Sequence, residues 1–230
     1  MNTKKKVAIF DIDGTLFRSS LLIELVEALI LRGVFPEEAW KVYERKKSEW
    51  LDREGNYEDY IRAVIDTFVR HLKGVSYTEF ALVADEVVMQ NRSRLYRYTR
   101  DLLGDLKKKG YFLLAVSHSP KTIVEPFTKK LQFDKSYGIV YETGAADRFT
   151  GKIIDEHLIL NKGAILKRAV EKENLTLVGS YGVGDTESDI TMLEMVEHPL
   201  AFNPNQKLYK YAKRMEWPVV VERKDVIYKL

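Results

Sequence analysis

Two pairs of aspartates in this sequence have the spacing of groups that do chemistry together. Asp11 and Asp13 follow the apolar run 7–10, and Asp185 and Asp189 follow a second short apolar run. If the two runs are neighbouring parallel strands, all four carboxylates meet at one edge of a sheet, where open α/β sheets bind their ligands. Carboxylates this close repel each other unless a hard cation lies among them, and Mg²⁺ is the natural candidate.

Each aspartate pair also has a simpler interpretation. Asp13-Gly14 is a strong turn dipeptide, so the segment 7–17 could form a β-hairpin. Asp185 or Asp189 could merely cap the helix that follows. Capping accounts for one aspartate but not for acidic groups at the ends of two separate strands, so we favour a shared site.

Two more residues follow the same arrangement. Ser117 comes directly after an apolar strand predicted over 111–116, and Lys162 begins a helix predicted from Asn161. A hydroxyl and an ammonium group both bind phosphate oxygens, and the free N–H groups before the helix at Lys121 could also hold an anion. Taken singly, Ser117 is an ordinary loop serine and Lys162 an ordinary surface lysine. Their order and their predicted positions at strand ends give them weight.

The pattern of helices and strands that would position these residues predicts an α/β fold with an insertion. From Tyr96 onward, helix and strand patterns alternate, which is typical of a parallel sheet covered by helices. Between about 20 and 94 the pattern is helical, with caps predicted at Ser20, Asn56 and Ser76 and a second helix predicted from Pro36 to Gly55. We therefore predict a catalytic core of residues 1–17 and 96–230 and an inserted all-helical cap of residues 18–95. The predicted strands cover 6–10, 111–116, 138–141, 180–184, 200–202 and 219–221, and 144–151 is predicted to form a hairpin or flap.

Composition and net charge limit the classes of function that this protein could have. The 230 residues include no cysteine, which excludes disulfides, thiolate chemistry and cysteine-based zinc sites. The net charge of +3 suits an anionic substrate but is too weak to predict a nucleic-acid partner. Asp11 and Asp13 come too early for an export signal, and Glu24 and Glu27 interrupt the apolar stretch 21–31, which is too short to cross a bilayer. We expect a cytoplasmic protein with a small phosphorylated metabolite as its partner, and neither nucleic acid nor membrane. The oligomeric state is unknown from the sequence.

The motifs, taken in order, resemble those of a known superfamily. Asp11-Ile12-Asp13-Gly14-Thr15, then Ser117, then Lys162-Gly163, then Gly184-Asp185-Thr186-Glu187-Ser188-Asp189 resemble the four-motif series of the haloacid dehalogenase superfamily. A helical insertion directly after the first motif is similar to the phosphoserine-phosphatase-like branch, subfamily IB. The resemblance covers nearly all of the core, whereas the cap shares only its position and helix pattern. It implies a Rossmann-like parallel-sheet core with a C1-type helical cap.

The resemblance also implies a role for each motif residue. Asp11 would be the nucleophile that forms an aspartyl-phosphate, and Asp13 the general acid and base. Mg²⁺ would be held by Asp11, the carbonyl oxygen of Asp13 and Asp185. Asp189 would support the metal site through water or by orienting Lys162.

The remaining site residues would bind the phosphate. Ser117 and Lys162 would bind its equatorial oxygens, where charge is carried in the transition state, with Gly14, Thr15 and His118 beside them. The helical cap would close over the site, exclude water and select the substrate.

The substrate is where the sequence departs from the family pattern. Phosphoserine phosphatases carry a glutamate for the substrate amine shortly after the first motif, and Ser20 stands at the matching position. Glu24 lies one helical turn further on and would fill that role if the alignment shifts. Arg18 would either bind an anionic leaving group or only flank the hinge of the cap. His118, where relatives carry a small residue, would either contact the substrate or face solvent.

Three alternatives stay open beside a general small-molecule phosphatase. Phosphoserine phosphatase is the specific form, and a phosphotransferase or mutase would use the same aspartyl-phosphate with another acceptor. A receiver-type signalling domain also phosphorylates an aspartate beside a Ser or Thr, a Lys and magnesium. Asp13 and the helical insertion favour the enzyme, because receiver domains are much shorter and lack both.

Overall fold

The computed structural model describes residues 4–155 and 159–230. In this part of the chain, eight strands form one sheet in the order β4-β3-β2-β1-β5-β6-β7-β8. Strands β3, β2, β1, β5, β6 and β7 run parallel, and β4 and β8 pair antiparallel at the two edges. The strands are β1 (Lys5–Asp11), β2 (Phe112–Pro120), β3 (Lys135–Thr143), β4 (Phe149–Ile154), β5 (Leu175–Gly184), β6 (His198–Phe202), β7 (Val219–Arg223) and β8 (Val226–Lys229).

Helices separate the parallel strands, and four of them lie in the insertion. We call α1–α4, between β1 and β2, the cap. The helices are α1 (Leu21–Leu31), α2 (Glu44–Leu51), α3 (Tyr57–Leu72), α4 (Tyr77–Asn91), α5 (Arg97–Lys108), α6 (Lys121–Lys130), α7 (Lys162–Lys172), α8 (Ile190–Leu193) and α9 (Gln206–Arg214), with 3₁₀ turns at Glu37–Val42, Ala145–Asp147 and Glu187–Asp189. The predicted α/β fold with a parallel sheet is confirmed.

Strand β1 forms the centre of the sheet because its apolar run is covered on both faces. Residues 7–10 are fully buried, as expected of a strand between two parallel neighbours. Its last residue, Asp11, lies in register with Val116 of β2, and Phe10 lies in register with Val183 of β5. β1 and β5 therefore end together beside Val116 of β2, which continues to Pro120, and the segments that follow β1 and β5 meet at this sheet edge.

Sequence reasoning placed the cap helices well, with two corrections. Asn56 and Ser76 cap α3 and α4 through their side chains, as predicted. Ser20 precedes α1, but its hydroxyl makes no capping hydrogen bond, so that prediction is wrong. The single helix expected from Pro36 is also wrong, because the chain forms a 3₁₀ turn and then α2, with Tyr43 buried between them.

The cap packs on the core through aromatic side chains. Phe68 of α3 contacts Tyr141 of β3, with ring centroids 5.3 Å apart, and Phe80 of α4 contacts Phe149 of β4 at 5.0 Å. Asp147, in the turn between β3 and β4, accepts hydrogen bonds from the backbone N–H and the hydroxyl of Thr78 in α4, at 3.0 and 2.7 Å. One hydrophobic cluster runs through the cap and one face of the sheet. The division into domains at residues 18 and 95 stays a prediction.

Two strands were missed by the sequence patterns. β4 forms the second half of the predicted hairpin, and β8 pairs with β7 at the far edge of the sheet. Both are antiparallel edge strands with mixed exposed residues, so neither shows a buried apolar run. Among the described residues, no helix is long and apolar enough to cross a bilayer.

Candidate active site

The first motif leaves the carboxyl end of β1 in a tight turn. The amide N–H of Gly14 donates to the carbonyl oxygens of Phe17 and Ser19, both at 3.0 Å, and Gly14 has a φ of +79°. A Cβ at this position would overlap the carboxylate of Asp185. Glycine therefore allows both the left-handed turn and the close approach of the fourth motif. The hairpin interpretation of this segment is wrong, because β1 pairs in parallel with β2 and β5.

Lys162 lies between two carboxylates at the centre of the site. Its Nζ is 2.6 Å from Asp11 Oδ1 and 2.5 Å from Asp189 Oδ1, and the three side chains are 3, 5 and 0% exposed. Burial alone would lower the pKa of Lys162, but the charges of Asp11 and Asp189 outweigh it and raise the pKa. Burial raises the pKa of Asp11, although the charge of Lys162 opposes this. Two buried carboxylates share one ammonium group, so the cluster carries an excess negative charge.

Three carboxylates could hold a cation here. Asp11, Asp185 and Asp189 each offer an oxygen, and these oxygens lie within 4.8 Å of one another. Among the described residues, Asp11 Oδ2 is buried without a hydrogen-bond partner. Burial and the charges of Asp11 and Asp189 raise the pKa of Asp185 well above its usual value. Oxygen ligands with surplus negative charge are what Mg²⁺ prefers, so these residues fit that ion.

Asp189 differs from the other two carboxylates because its oxygens are already engaged. Its Oδ2 accepts the backbone N–H groups of Asp185 and Thr186, at 2.9 and 3.0 Å, and its Oδ1 accepts Lys162. Gly184 leaves room for this, because a Cβ there would overlap the Asp189 side chain. Asp189 thus holds the loop that carries Asp185, which is the arrangement of a supporting residue.

The carboxylate of Asp13 is held by three donors. Its Oδ1 accepts the backbone N–H of Leu21 at 2.5 Å, and its Oδ2 accepts the hydroxyls of Ser117 at 2.5 Å and Ser119 at 2.9 Å. Burial raises the pKa of Asp13, and these hydrogen bonds oppose the rise. Asp13 rather than Ser20 therefore caps α1. Ser119 is a site residue that the sequence analysis missed, although it lies two positions after Ser117.

Thr15 and His118, which were predicted to lie beside the phosphate, both have buried polar atoms. The Thr15 side chain is fully buried, and its hydroxyl has no partner among the described residues. His118 has a buried Nε2 without a partner in that part of the chain, so the solvent-facing interpretation is wrong. Burial, followed by the charge of Lys162, lowers the pKa of His118 to about 4.

We expect His118 to make folding stability depend on pH. The unfolded chain binds a proton at this histidine near pH 6.5, whereas the folded chain does so only near pH 4. Stability from the neutral imidazole is therefore full above pH 6.5 and is lost as the pH falls towards 4, by up to about 1.4 kcal/mol per pH unit. Urea unfolding at pH 7, 6 and 5 measures this slope.

His118→Gln should flatten the slope relative to the parent protein, because carboxylates titrate equally in both. His198→Gln, which removes an exposed imidazole, is the matched control and should keep the parental slope. Equal slopes for the parent and His118→Gln would contradict the prediction.

The three residues predicted to meet the leaving group have different surroundings. Ser20 is buried. Glu24 Oε1 accepts both the hydroxyl of Ser19 and the guanidinium of Arg94, each at 2.8 Å. Arg18 is exposed, and its guanidinium carbon lies 5.8 Å from the centre of the Tyr96 ring.

Two tyrosines near the acidic cluster were also missed. Tyr57 begins α3, and burial followed by the charges of Asp13 and Asp185 raises its pKa. Tyr96 precedes α5, and burial followed by the charge of Asp185 raises its pKa as well. A tyrosine at the start of a helix has no sequence signal for a site, since only tertiary packing brings it there.

One ion pair joins the cap to the loop of the fourth motif. Lys207 of α9 lies 3.2 Å from Glu58 of α3 and 2.6 Å from Glu187. The neighbouring Asn205 donates its backbone N–H to the carbonyl oxygen of Asp185, at 2.8 Å. Lys207 and Glu58 are exposed, so these two ion pairs contribute little to stability, but they join the cap to the loop of the fourth motif.

Comparison with known proteins decides the family. A model of haloacid dehalogenase-like hydrolases matches residues 8–194, which include every motif described above. The chain belongs to this family. It is 26% identical to a histidinol-phosphatase of Neisseria meningitidis, covering 94% of this chain and 98% of that protein. It is 25% identical to a phosphoserine phosphatase of Methanocaldococcus jannaschii, covering 98% and 96%.

The fold of this haloacid dehalogenase-like hydrolase also matches solved structures. One is described as a phospho-aspartyl intermediate analogue of phosphoserine phosphatase. Its TM-score is 0.61 at 24% identity, covering 97% of this chain and 96% of that one. The coverage includes the cap as well as the sheet, and the likeness confirms the predicted fold.

Proposed function

We propose that this hydrolase is a Mg²⁺-dependent phosphatase that cleaves a small phosphomonoester through an aspartyl-phosphate on Asp11. The observation that carries the proposal is the buried Asp11 carboxylate, which Lys162 holds by one oxygen while the other has no partner among the described residues. That free oxygen lies in a cluster whose surplus negative charge suits a divalent cation. The names of the two relatives, both phosphatases, support the same reaction class.

In the first half-reaction, a carboxylate oxygen of Asp11 attacks phosphorus and the bond from phosphorus to the ester oxygen breaks. The leaving alkoxide takes a proton from Asp13. A carboxyl group whose pKa is raised by burial is suited to hold that proton at neutral pH. Splitting the reaction at Asp11 replaces one difficult hydrolysis by two easier displacements.

In the second half-reaction, water attacks phosphorus of the aspartyl-phosphate and gives a proton to Asp13. The bond from phosphorus to the Asp11 oxygen breaks, and inorganic phosphate leaves. Lys162 and Ser117 would bind the phosphoryl oxygens as charge develops on them, with Ser119 as a further hydroxyl. In the described structure both hydroxyls donate to Asp13, so phosphate would have to compete for them.

Bound Mg²⁺ would supply electrostatic stabilisation of the phosphoryl oxygens and reduce the repulsion between them and the carboxylates. Asp11 and Asp185, together with the carbonyl oxygen of Asp13, would hold the ion. Asp189 would keep Asp185 and Lys162 in place through the contacts described above. The cap would select the leaving group and exclude water while Asp11 is phosphorylated.

The metal requirement gives the first test. We expect hydrolysis of para-nitrophenyl phosphate with Mg²⁺, a loss of at least about 100-fold with a chelator, and recovery when excess Mg²⁺ is restored. Because a metal bound by the folded state also raises its stability, the melting temperature is measured in parallel and rates are compared where the metal-free protein stays folded. Turnover that persists unchanged in the chelator would contradict the proposal. A panel of natural phosphomonoesters covers the case in which the cap rejects an aryl group.

The acceptor separates phosphatase from phosphotransferase. With added alcohols, a phosphatase releases inorganic phosphate in proportion to substrate consumed, whereas a phosphotransferase forms a new phosphomonoester. A stable phosphorylated Asp11 without turnover would instead favour the receiver-type switch.

A further inference from the structure

The two carboxylates of α1 are already paired with cations. Glu24, the acidic residue nearest the first motif, is bound to Arg94 and Ser19. Glu27, one turn further along α1, is 2.5 Å from Lys47. A substrate amine would therefore have to displace an existing cation, which costs part of the binding energy that it gains.

Arg18 has the opposite character. Among the described residues, no carboxylate lies within ion-pair distance of its guanidinium, which lies over the face of the Tyr96 ring. The residues on either side of Arg18 contact the first motif, because Gly14 donates its N–H to the carbonyl oxygens of Phe17 and Ser19, both at 3.0 Å. Arg18 also directly follows the turn of the first motif. Arg18 is thus a cation beside the first-motif turn that has no carboxylate partner in the described part of the chain.

A guanidinium group on an aromatic face is well prepared to bind an anion. Its planar fork of N–H groups matches a carboxylate or phosphate in two parallel hydrogen bonds. Stacking on Tyr96 restricts the side chain beforehand, which lowers the entropy lost on binding.

Resting on the proposed function, we infer that Arg18 selects a phosphomonoester whose leaving group carries an anionic group and no ammonium. Arg18 is then a specificity-determining residue. Such a substrate differs from phosphoserine and histidinol phosphate, the compounds in the names of the two relatives, because both of those carry an amine. The anionic group is a carboxylate or a second phosphate, since both suit the same guanidinium fork.

Five phosphomonoesters that differ mainly in charge test the inference. They are propyl phosphate, β-phosphooxypropanoate (phosphoserine without its ammonium), phosphoserine, phosphoethanolamine and propanediol bisphosphate. We expect kcat/KM to be highest for β-phosphooxypropanoate or for the bisphosphate, which distinguishes the two sources of charge. Phosphoserine should be lower, and phosphoethanolamine should fall below propyl phosphate.

Substitutions assign the preference to Arg18. Arg18→Gln should lower the ratio of kcat/KM for β-phosphooxypropanoate to that for propyl phosphate by about tenfold or more, the size of a lost charge-assisted hydrogen bond. Arg18→Lys should restore part of the ratio, because it keeps the charge without the fork. Arg70→Gln, which removes an exposed cation from α3, should leave the ratio unchanged.

Two results would overturn the inference while the proposed function stands. One is a preference for phosphoserine or phosphoethanolamine over β-phosphooxypropanoate. The other is an equal loss on all five substrates in Arg18→Gln, which would place Arg18 on the transferred phosphate. Absence of Mg²⁺-dependent turnover on every substrate, by folded protein, would contradict the proposed function itself.

Discussion

Asp11→Asn is expected to lower kcat by about 10⁴-fold or more, because an amide oxygen is a poor nucleophile and carries no charge for a cation. The side chains have nearly the same shape, so the geometry around Lys162 should persist. Single-turnover assays with para-nitrophenyl phosphate and Mg²⁺ measure the loss. Asp66→Asn, at an exposed position of α3, is the matched control and should keep parental kinetics.

The same substitution separates chemistry from folding. Burial raises the pKa of Asp11, which means that the folded state disfavours its charged form. Asp11→Asn removes the surplus negative charge and leaves Lys162 paired with Asp189. The free energy of unfolding without metal should therefore stay equal or rise. An inactive variant that is also strongly destabilised would contradict this interpretation of the loss, and a variant with near-parental kcat would exclude Asp11 as the nucleophile.

Lys162→Met is expected to cost both stability and activity. Removing this cation leaves Asp11 and Asp189 facing each other with no compensating charge, and both are almost fully buried. Breaking a buried ion pair from one side typically costs about 3–5 kcal/mol. For a chain of this size, the melting temperature should fall by roughly 6–20 °C. Kinetic assays should show at least about a 100-fold loss of kcat/KM, because a phosphate-binding cation is lost as well.

The pH dependence distinguishes this mechanism from simple loss of packing. Without Lys162 the folded-state pKa of Asp11, which burial already raises, should rise further, and its ionised form destabilises the fold. The deficit relative to the parent should therefore be largest at neutral pH and shrink as the pH falls and the carboxylates bind protons. Lys167→Met, at an exposed position of the same helix, should show neither effect. A deficit that is constant between pH 8 and 5 would contradict the electrostatic cause.

Much of the site could be predicted because it depends on strand ends. Asp11, Ser117 and Asp185 follow apolar runs, and parallel strands place the residues after such runs at one edge. Lys162 could be placed from its order in the motif series. The resemblance depended on these residues together, since none of them is distinctive alone.

The parts that could not be predicted depend on side-chain direction and on the approach of the cap. That Asp13 turns towards Ser119 and Leu21 follows from local geometry that no spacing encodes. Tyr57 comes under the charges of Asp13 and Asp185 only through tertiary packing of the cap, which local sequence spacing does not show. The ion pair between Glu24 and Arg94 joins residues 70 positions apart, so the sequence could not show that Glu24 is engaged.

The hydrogen bond from Leu21 to Asp13 connects the first helix of the cap directly to a carboxylate of the first motif. The first backbone N–H of the cap is tied directly to the group proposed to move protons. A displacement of α1 would therefore change the donors around Asp13, and so its proton affinity, without any intervening side chain. A change of protonation at Asp13 would in turn alter the electrostatics at the start of α1. Opening of the cap and the protonation of Asp13 would then be coupled in a single equilibrium.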